Sequence, residues 1–160
     1  LFLSRTCVNG LIRFNEKGEF NNSFHYSRPG IKPDSLRKII YDWSSRLQKT
    51  DFMSEDYTIT TATAKAGDII YLDPPYFHTK GRYFGTIDFE RFLAYLEDLN
   101  KRGIKYLLSF DGKRGNADYT VSLPKDLYKR HEFLPSGNST FKKVIDKQNE
   151  KVFESLYLNF

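Results

Sequence analysis

Apolar residues fall on one face of two predicted helices. Asp34 can cap a helix from 35 to about 48, and Asp88 can cap a second helix that ends before Gly103. Helical spacing places a set of apolar side chains on one face of each. These are Leu36, Ile39, Ile40, Trp43 and Leu47 in the first helix and Phe89, Phe92, Leu93, Leu96 and Leu99 in the second. Both faces are expected to pack into a core, where Trp43 serves packing rather than stacking on a base.

Short apolar and β-branched runs predict the strands, which cover 57–60, 69–72, 104–110 and positions near 128–134 and 151–159. The run at 69–72 is apolar throughout, so this strand is expected to be buried. A helix separates it from the strand at 104–110, and such a βαβ unit makes the two strands parallel. Asp111 is expected to end the second of them, where it either shapes a pocket or caps the next turn. Residues 1 to about 5 resemble the end of a helix, and 6–32 are predicted to form loops and a hairpin.

An acidic and aromatic segment, Asp73-Pro74-Pro75-Tyr76, follows the apolar strand directly. In open α/β sheets, ligands bind at the carboxyl ends of strands. Asp73 supplies a charged acceptor, and Pro75 orients the Pro74 carbonyl as a second one. Two such acceptors suit a planar amine such as N6 of adenine, on whose extruded base Tyr76 can stack. The same residues can instead simply stop a strand, with Tyr76 packing at its rim.

A second polar and basic segment, residues 5–21, interleaves charges with single apolar side chains. Asn9-Gly10 and Lys17-Gly18 are turn signals. Arg and Asn are the side chains that read guanine and adenine edges through paired hydrogen bonds. The segment is therefore either a DNA-reading hairpin or a surface hairpin with solvated charges.

Five blocks in this order resemble the Dam-type adenine-N6 DNA methyltransferases, the α-group of the D12 class. They are Asn9-Gly10-Leu11-x-Arg13, Asn15-x-x-Gly18-Glu19-Phe20-Asn21, Gly67-Asp68-x-Ile70-Tyr71-x-Asp73-Pro74-Pro75-Tyr76, Leu107-Leu108-Ser109-x-Asp111 and Glu154-Ser155-Leu156-Tyr157. Each block alone is weak, but together, and in the family's order, they are specific.

The resemblance implies an α/β fold, with part of a Rossmann-like methyltransferase sheet and an inserted target-recognition region. Residues 1–50 would belong to that region, and 51–160 would form the catalytic half with a DNA-contacting hairpin near 134–145. The implied reaction moves a methyl group from S-adenosylmethionine to N6 of a flipped adenine at a specific site in double-stranded DNA. A restriction-modification partner is compatible with it.

The resemblance also assigns roles to single residues. Asp73 would face both the cofactor and the base, and the whole block Asp73-Pro74-Pro75-Tyr76 would be catalytic. Arg13 would read a guanine next to the target adenine, with Leu11 against the same base pairs. The remaining DNA contacts would come from the first hairpin and from a hairpin tip at 136–140. They are Asn9, Asn15, Lys17, Asn138, Ser139 and Lys142.

Two parts of the family's pattern differ here. Val8 stands where members that read GATC often carry an aromatic wedge, so the full recognition sequence stays open. The Phe-x-Gly-x-Gly turn for the cofactor's methionine part, and the acid for its ribose, do not occur. The chain is therefore expected to be the C-terminal part of a larger enzyme, with a stand-alone protein as the alternative. Alone, it should be inactive, bind the cofactor weakly and tend to self-associate through an uncovered sheet edge.

Composition narrows the function classes further. The net charge of +5 and the pI near 9.2 favour a polyanionic partner, although a modest excess also serves solubility. The single Cys7 suits a reducing interior, so the cytoplasm is expected. No apolar run approaches the roughly 20 residues of a membrane span, and His25, His78 and His131 lack metal-ligand spacing. We therefore expect neither a membrane nor a metal partner.

Two other functions remain open at this point. A DNA-recognition module derived from a methylase, without turnover, would keep the basic hairpin but has no need of the Asp73 block. Methylation of another planar amine, in RNA or in a glutamine side chain, would keep the Asp73 block. The segment from Asn9 to Asn21 disfavours this last option.

Overall fold

The computed structural model describes residues 2–27, 30–75, 87–138 and 151–160, without the side chains of Asn9 and Asn138. The chain divides into two compact units, Leu1–Ser54 and Glu55–Phe160. The first contains helices α1 (Phe2–Thr6) and α2 (Pro33–Arg46), with short 3-10 turns at Val8–Gly10 and Leu47–Lys49. The second contains α3 (Tyr57–Thr60), β1 (Ile69–Leu72), α4 (Phe89–Lys101), β2 (Lys105–Arg114), β3 (Ala117–Asp118), β4 (Arg130–Asn138) and β5 (Lys151–Leu158).

The first unit begins with the predicted helix end, α1, and continues as a hairpin. Isolated antiparallel bridges join Cys7 to Phe24 and Phe14 to Phe20. The 3-10 turn after Cys7 requires a glycine, because Gly10 has a φ of +67° and a Cβ there would lie 2.8 Å from the carbonyl oxygen of Ser4. The chain therefore passes close to α1 before it enters the hairpin.

Helix α2 confirms the predicted helix but not its cap or its burial. The helix begins one residue before Asp34, with Lys32 at the N-cap position and Pro33 in the first turn. Proline suits this place because it lacks the N–H that would have no partner there. No residue of α2 is buried, and Trp43 is 57% exposed. The predicted core face is wrong for the described residues, since periodicity reports an apolar stripe but not what covers it.

The second unit is an α/β structure built on a mixed parallel and antiparallel sheet. Its strand order is β1-β2-β5-β4, and β3 pairs with β2. β1 and β2 are parallel, with Ile69 opposite Lys105 and Leu72 opposite Leu108, as the βαβ pattern predicts. β5 is antiparallel to both β2 and β4. The two tail strands are thereby confirmed within a few residues.

Helix α4 covers one face of this sheet. The Asp88 carboxylate accepts a hydrogen bond from the backbone N–H of Arg91, and Gly103, with a φ of +67°, follows the helix, so both predicted ends are confirmed. The helix buries Phe92, Leu96 and Leu99, as predicted, and also Tyr95. These residues form one core with side chains of the sheet and of the segment before β4. They pack with Leu72, Ile104, Tyr106, Leu108, Phe110, Leu123, Leu127 and Tyr157.

The strand predicted at 57–60 is wrong, because these residues form the single helical turn α3. The Asp56 carboxylate accepts from the backbone N–H and the hydroxyl of Thr58. At the other end, the hydroxyls of Thr60 and Thr61 donate to the Tyr57 carbonyl. Such local side-chain bonds compete with strand pairing and outweigh the β propensity of the threonines.

Strand β1 is half-buried rather than buried. Its side chains alternate, so Leu72 faces the core while Ile69 and Tyr71 are 61% and 62% exposed. It is also an edge strand among the described strands, with β2 as its partner. Prediction from an apolar run overestimated its burial, since the run does not show whether both faces of the sheet are covered.

Two predicted strand ends also move. Asp111 does not end its strand, because β2 continues to Arg114 through a bulge between Asp111 and Lys113. The sequence predicts a hairpin tip at 136–140, but Ser136, Gly137 and Asn138 belong to β4, in which Asn138 pairs with Lys151. The rest of that predicted tip, 139–140, lies outside the described residues.

We expect Gly112→Ala to destabilise the second unit strongly. A Cβ at Gly112 would lie 2.2 Å from the Phe153 carbonyl oxygen, and neither backbone can move away without breaking the β2–β5 pairing. The free energy of unfolding should fall by about 3 kcal/mol or more. Gly67→Ala is the control, because Gly67 has a φ of +99° with open space around it and should cost only about 1–2 kcal/mol. Thermal denaturation that shows an equal or smaller loss for Gly112→Ala would contradict the close approach.

Candidate functional site

Asp73 is held at the carboxyl end of β1 by a neighbour on β2. Because β1 and β2 are parallel and in register, Tyr71, Asp73 and Ser109 share one face of the sheet. The Ser109 hydroxyl donates to Oδ1 of Asp73 at 3.0 Å, and the Tyr71 hydroxyl donates to Ser109 at 3.2 Å. Ser109 is only 3% exposed, whereas Asp73 is exposed to solvent. The arrangement anchors one carboxylate oxygen and leaves the carboxylate open on its other side.

A pocket of about 410 Å³ lies beside this carboxylate. Its walls come from three places: the turn α3, the end of β1 with the residues after it, and the beginning of α4. The lining residues are Tyr57, Thr60, Thr61, Ile70, Tyr71, Leu72, Asp73, Pro74, Pro75, Ile87 and Phe92. Apolar and aromatic side chains dominate this lining, and Asp73 is its charged group. Such a site suits a flat, largely apolar ligand that carries a hydrogen-bond donor.

The aromatic wall of the pocket is fixed by ring packing. Tyr57 makes edge-on contacts with Phe92 and Tyr95, at centroid distances of 5.8 Å and 4.8 Å. Tyr95 hydrogen-bonds Thr61 at 2.9 Å. Burial raises the pKa of both tyrosine hydroxyls, so they stay neutral at physiological pH. This wall therefore contributes shape and stacking surface rather than charge.

An ion pair orders the rim of the same wall. Arg91 donates to Asp56 at 2.9 Å, and its guanidinium lies 5.5 Å from the centre of the Tyr57 ring. Hydrogen bonds from Thr58, followed by the nearby Arg91 charge, lower the pKa of the Asp56 carboxyl. Asp56 thus links the helical turn α3, which was predicted as a strand, to α4. It thereby holds two walls of the pocket together. No sequence signal marked this role, because Asp56 and Arg91 are 35 residues apart.

The structure places only part of the predicted catalytic block. Asp73, Pro74 and Pro75 all line the pocket. Tyr76 lies outside the described residues, and so does His78. Ser109 and Tyr71 are the residues that the sequence did not single out, although both fall within the blocks that resemble the family.

Arg13 is oriented by the hairpin that carries it. The backbone N–H of Asn21 donates to the Arg13 carbonyl at 2.8 Å, and the Nε of Arg13 donates back to the Asn21 carbonyl at 2.9 Å. Within the described part of the chain, the two terminal guanidinium nitrogens make no hydrogen bond. The side chain is exposed, and the bond from Nε holds its planar fork in one direction, while the four N–H donors of the terminal nitrogens meet no acceptor among the described residues.

The polar side-chain atoms of Asn15 form hydrogen bonds within the turn. Its Oδ1 accepts from the backbone N–H groups of Lys17 and Glu19, at 3.0 Å and 2.9 Å. Its Nδ2 donates to the Glu19 carboxylate at 2.9 Å. Lys17 lies at the exposed tip that this turn forms, next to Gly18 with a φ of +77°. Asn15 therefore shapes the tip, while Lys17 presents a charge from it.

Asn22 is a structural residue of the hairpin that the sequence did not predict. Its Nδ2 donates to the carbonyls of Leu11 and Val8, at 2.6 Å and 3.3 Å. It thereby ties the 3-10 turn to the returning chain and holds Leu11, which is 51% exposed. The contact joins residues 11 and 14 positions apart, which local sequence patterns do not report.

The other predicted DNA contacts are only partly described. Asn9 belongs to the 3-10 turn at Val8–Gly10, and Asn138 ends β4, but their side chains are outside the description. Ser139 and Lys142 lie outside the described residues altogether. The hairpin residues belong to the unit Leu1–Ser54, and the Asp73 pocket belongs to the unit Glu55–Phe160.

Two other kinds of feature, a metal site and a membrane span, are absent from the described residues. In these ranges, no group of three or more His, Cys, Asp or Glu side chains is arranged to hold a metal ion. None of the helices described here has the length and apolar character that crossing a bilayer requires.

Comparison with known proteins gives a consistent family. The model of the D12 class N6 adenine-specific DNA methyltransferases matches residues 1–152. The Type II methyltransferase M.MjaIII of Methanocaldococcus jannaschii is 30% identical over 174 residues, covering 100% of this chain and 56% of that protein. The DNA adenine methylase of Escherichia coli K12 is 29% identical over 157 residues, covering 90% of this chain and 54% of that protein.

A shorter match is closer in sequence. The DNA adenine methylase of Serratia marcescens is 40% identical over 77 residues, which is 48% of this chain and 27% of that protein. The chain thus spans about half the length of the first two relatives. The family model covers nearly the whole chain, and the resemblance found in the five sequence blocks is confirmed. The chain belongs to the D12 class N6 adenine-specific DNA methyltransferases.

Proposed function

We propose that this chain carries the methyl-accepting side of a site-specific adenine-N6 DNA methyltransferase. The observation that supports it most is the Asp73 carboxylate, held on one oxygen by Ser109 at the mouth of an aromatic pocket. This pocket lies at the carboxyl end of a parallel strand, in a chain of the D12 family. A recognition module without turnover would have no use for such a carboxylate.

The proposed chemistry depends on raising the electron density of a poor nucleophile. The N6 amine of adenine shares its lone pair with the ring, so acceptors that bind its hydrogens make that pair more available. Asp73 supplies one acceptor, and the Pro74 carbonyl, whose direction Pro75 restricts, supplies another. The nitrogen would form the new bond to the methyl carbon while the bond from that carbon to the donor sulfur breaks and leaves its electron pair on sulfur, and the nitrogen would then lose one proton. The exposed Asp73 carboxylate offers that proton a route to water.

The residues of the pocket fit S-adenosylmethionine, which when bound supplies an electrophilic methyl group on sulfur. A volume of about 410 Å³ lies within the usual range for small-molecule sites. The aromatic wall offers a stacking surface to the adenine ring of the cofactor. The Asp73 carboxylate offers a negative charge to the cofactor's positively charged sulfur. In this proposal, Asp73 contacts both cofactor and target base. A stacked base cannot reach a recessed pocket, so the target adenine is flipped out of the duplex.

The architecture supports a division of roles. We assign the unit Leu1–Ser54 to target recognition and the unit Glu55–Phe160 to the catalytic half of a Rossmann-like sheet. The parallel pair β1–β2, with α4 between them along the chain, is the unit from which such sheets are built. In this assignment, β1 accepts further strands on its open side. The net charge of +5 favours binding to the DNA backbone.

Replacing Asp73 by alanine should strongly lower turnover without unfolding the protein. Turnover by the full-length protein should fall on the order of 10²-fold or more, as when one preorganised electrostatic group is removed. Asp126→Ala is the matched control, since Asp126 is an exposed carboxylate of the same unit that does not line the pocket. The assay is methyl transfer to duplex DNA, with the modified base mapped by sequencing. If Asp73→Ala methylates adenine near the wild-type rate, the proposed role of Asp73 is wrong.

Replacing Arg13 by alanine should relax sequence preference at one base pair. A paired contact from arginine to guanine contributes about 1–3 kcal/mol of discrimination, which is about 5-fold to 150-fold. Lys17→Ala is the control from the same hairpin, because loss of an exposed point charge should weaken binding to all sequences alike and lower the salt slope by about one. Competition binding over single-base variants of the site separates the two patterns.

Asn15→Ala is a second control, which shows what loosening the turn itself does to DNA binding. Since its polar atoms are used within the turn, the variant should speed amide hydrogen exchange at Lys17 and Glu19. Uniform weakening by Arg13→Ala would show that Arg13 contacts a phosphate and that the sequence is read elsewhere.

A further inference from the structure

Three polar groups form a continuous hydrogen-bonded line beside the pocket. Tyr71 donates to Ser109 at 3.2 Å, and Ser109 donates to Oδ1 of Asp73 at 3.0 Å. A serine hydroxyl has one proton to donate, and an ionised carboxylate only accepts, so the direction of both bonds follows. The Leu72 carbonyl lies 3.5 Å from the same hydroxyl, which makes it a longer and weaker alternative acceptor.

Ser109 stands in a strand that is otherwise apolar at this point. It follows Leu107 and Leu108, precedes Phe110, and is 3% exposed. A buried hydroxyl lowers stability unless it is hydrogen-bonded, so an apolar residue would be the simpler choice for packing alone. Here the hydroxyl accepts a hydrogen bond from Tyr71 and donates one to Asp73, the carboxylate of the proposed site.

We propose that Ser109 is the positioning residue of Asp73 and that Tyr71 orients Ser109 in turn. The line fixes Oδ1 and leaves the other carboxylate oxygen available to a ligand in the pocket that Asp73 lines. Because hydrogen bonds in a chain polarise one another, the Tyr71 hydroxyl strengthens the bond that Ser109 makes. This inference rests on the proposed function, in which Asp73 accepts a hydrogen bond from the substrate amine.

The hydrogen bonds themselves can be tested on this chain without any assay of activity. The probe is the side-chain carboxyl carbon of Asp73, labelled with ¹³C and observed by NMR. Ser109→Ala should shift its resonance, and Tyr71→Phe should shift it in the same direction by less. If Ser109→Ala fails to fold, Tyr71→Phe still decides the result, because the Tyr71 side chain is 62% exposed and its ring is kept.

Two matched controls come from the neighbouring strand β5. Ser155 is fully buried and takes no part in the hydrogen bonds of Asp73, so Ser155→Ala should leave the Asp73 resonance in place. Tyr157 donates to the Val121 carbonyl, so Tyr157→Phe removes a tyrosine hydroxyl bond elsewhere in the sheet. The proposal is overturned if Ser109→Ala and Tyr71→Phe leave the Asp73 resonance unchanged, or if the two control variants shift it equally.

The functional arm measures methyl transfer by the full-length protein. Ser109→Ala should lower kcat about tenfold, equal to about 1.4 kcal/mol, with the KM for DNA nearly unchanged. If Ser109 served only the stability of the fold, Ser109→Ala would lower the melting temperature, and the effect on activity would not be confined to kcat. In an Asp73→Asn background, Ser109→Ala should have little further effect, because coupled residues are not additive.

The outcomes separate this inference from the function on which it rests. If Asp73→Ala is inactive while Ser109→Ala keeps the wild-type kcat, the positioning role is overturned and the proposed function stands. If Asp73→Ala is active, the proposed function fails, and with it any catalytic reason to position Asp73. If Asp73→Ala is inactive, Ser109→Ala lowers kcat and the NMR shift appears, both are supported.

Discussion

The parallel pairing of β1 with β2 is the contact on which the candidate site depends. It sets Leu72 opposite Leu108, which brings the residue after each of them to the same end of the sheet. One of those residues is Asp73, and the other is Ser109, which donates to it. A slip of β1 by one residue would place Asp73 and Ser109 on opposite faces of the sheet, because side chains alternate along a strand. Burial of Leu72 and Leu108 therefore favours the register that also forms the site, since both residues lie in the core.

Local patterns predicted the elements that are determined locally. The Asp88 cap, the apolar stripe of α4 and the glycine after it are signals within one segment, and all three are confirmed. The segment 57–60 was predicted wrongly because Asp56 and the threonines satisfy the backbone of a helical turn. Here too the decisive bonds are local, but they compete with the β propensity of the same residues. Propensity alone did not show which side would win.

Tertiary contacts explain what the sequence did not predict. The bond from Ser109 to Asp73 joins residues 36 positions apart, and the ion pair of Arg91 with Asp56 joins residues 35 apart. Gly112 looks ordinary in the sequence, yet the backbone of β5 passes where its side chain would be. The exposure of Trp43 on α2 belongs to the same class, because an amphipathic helix does not specify its partner. Of the candidate site, the sequence thus predicted the carboxylate but not the groups that hold it.

In the proposed function, Arg13 in the hairpin and Asp73 in the pocket meet the same physical requirement in two ways. A side chain that is to recognise a partner must stay accessible, and an accessible side chain loses entropy when it is fixed. Arg13 is fixed through its Nε by a backbone carbonyl, which leaves the end of its guanidinium free. Asp73 is fixed through one oxygen by a buried hydroxyl, while its carboxylate stays exposed. In both cases the folded chain orders the group before a ligand arrives, so less of the binding energy is lost to ordering it.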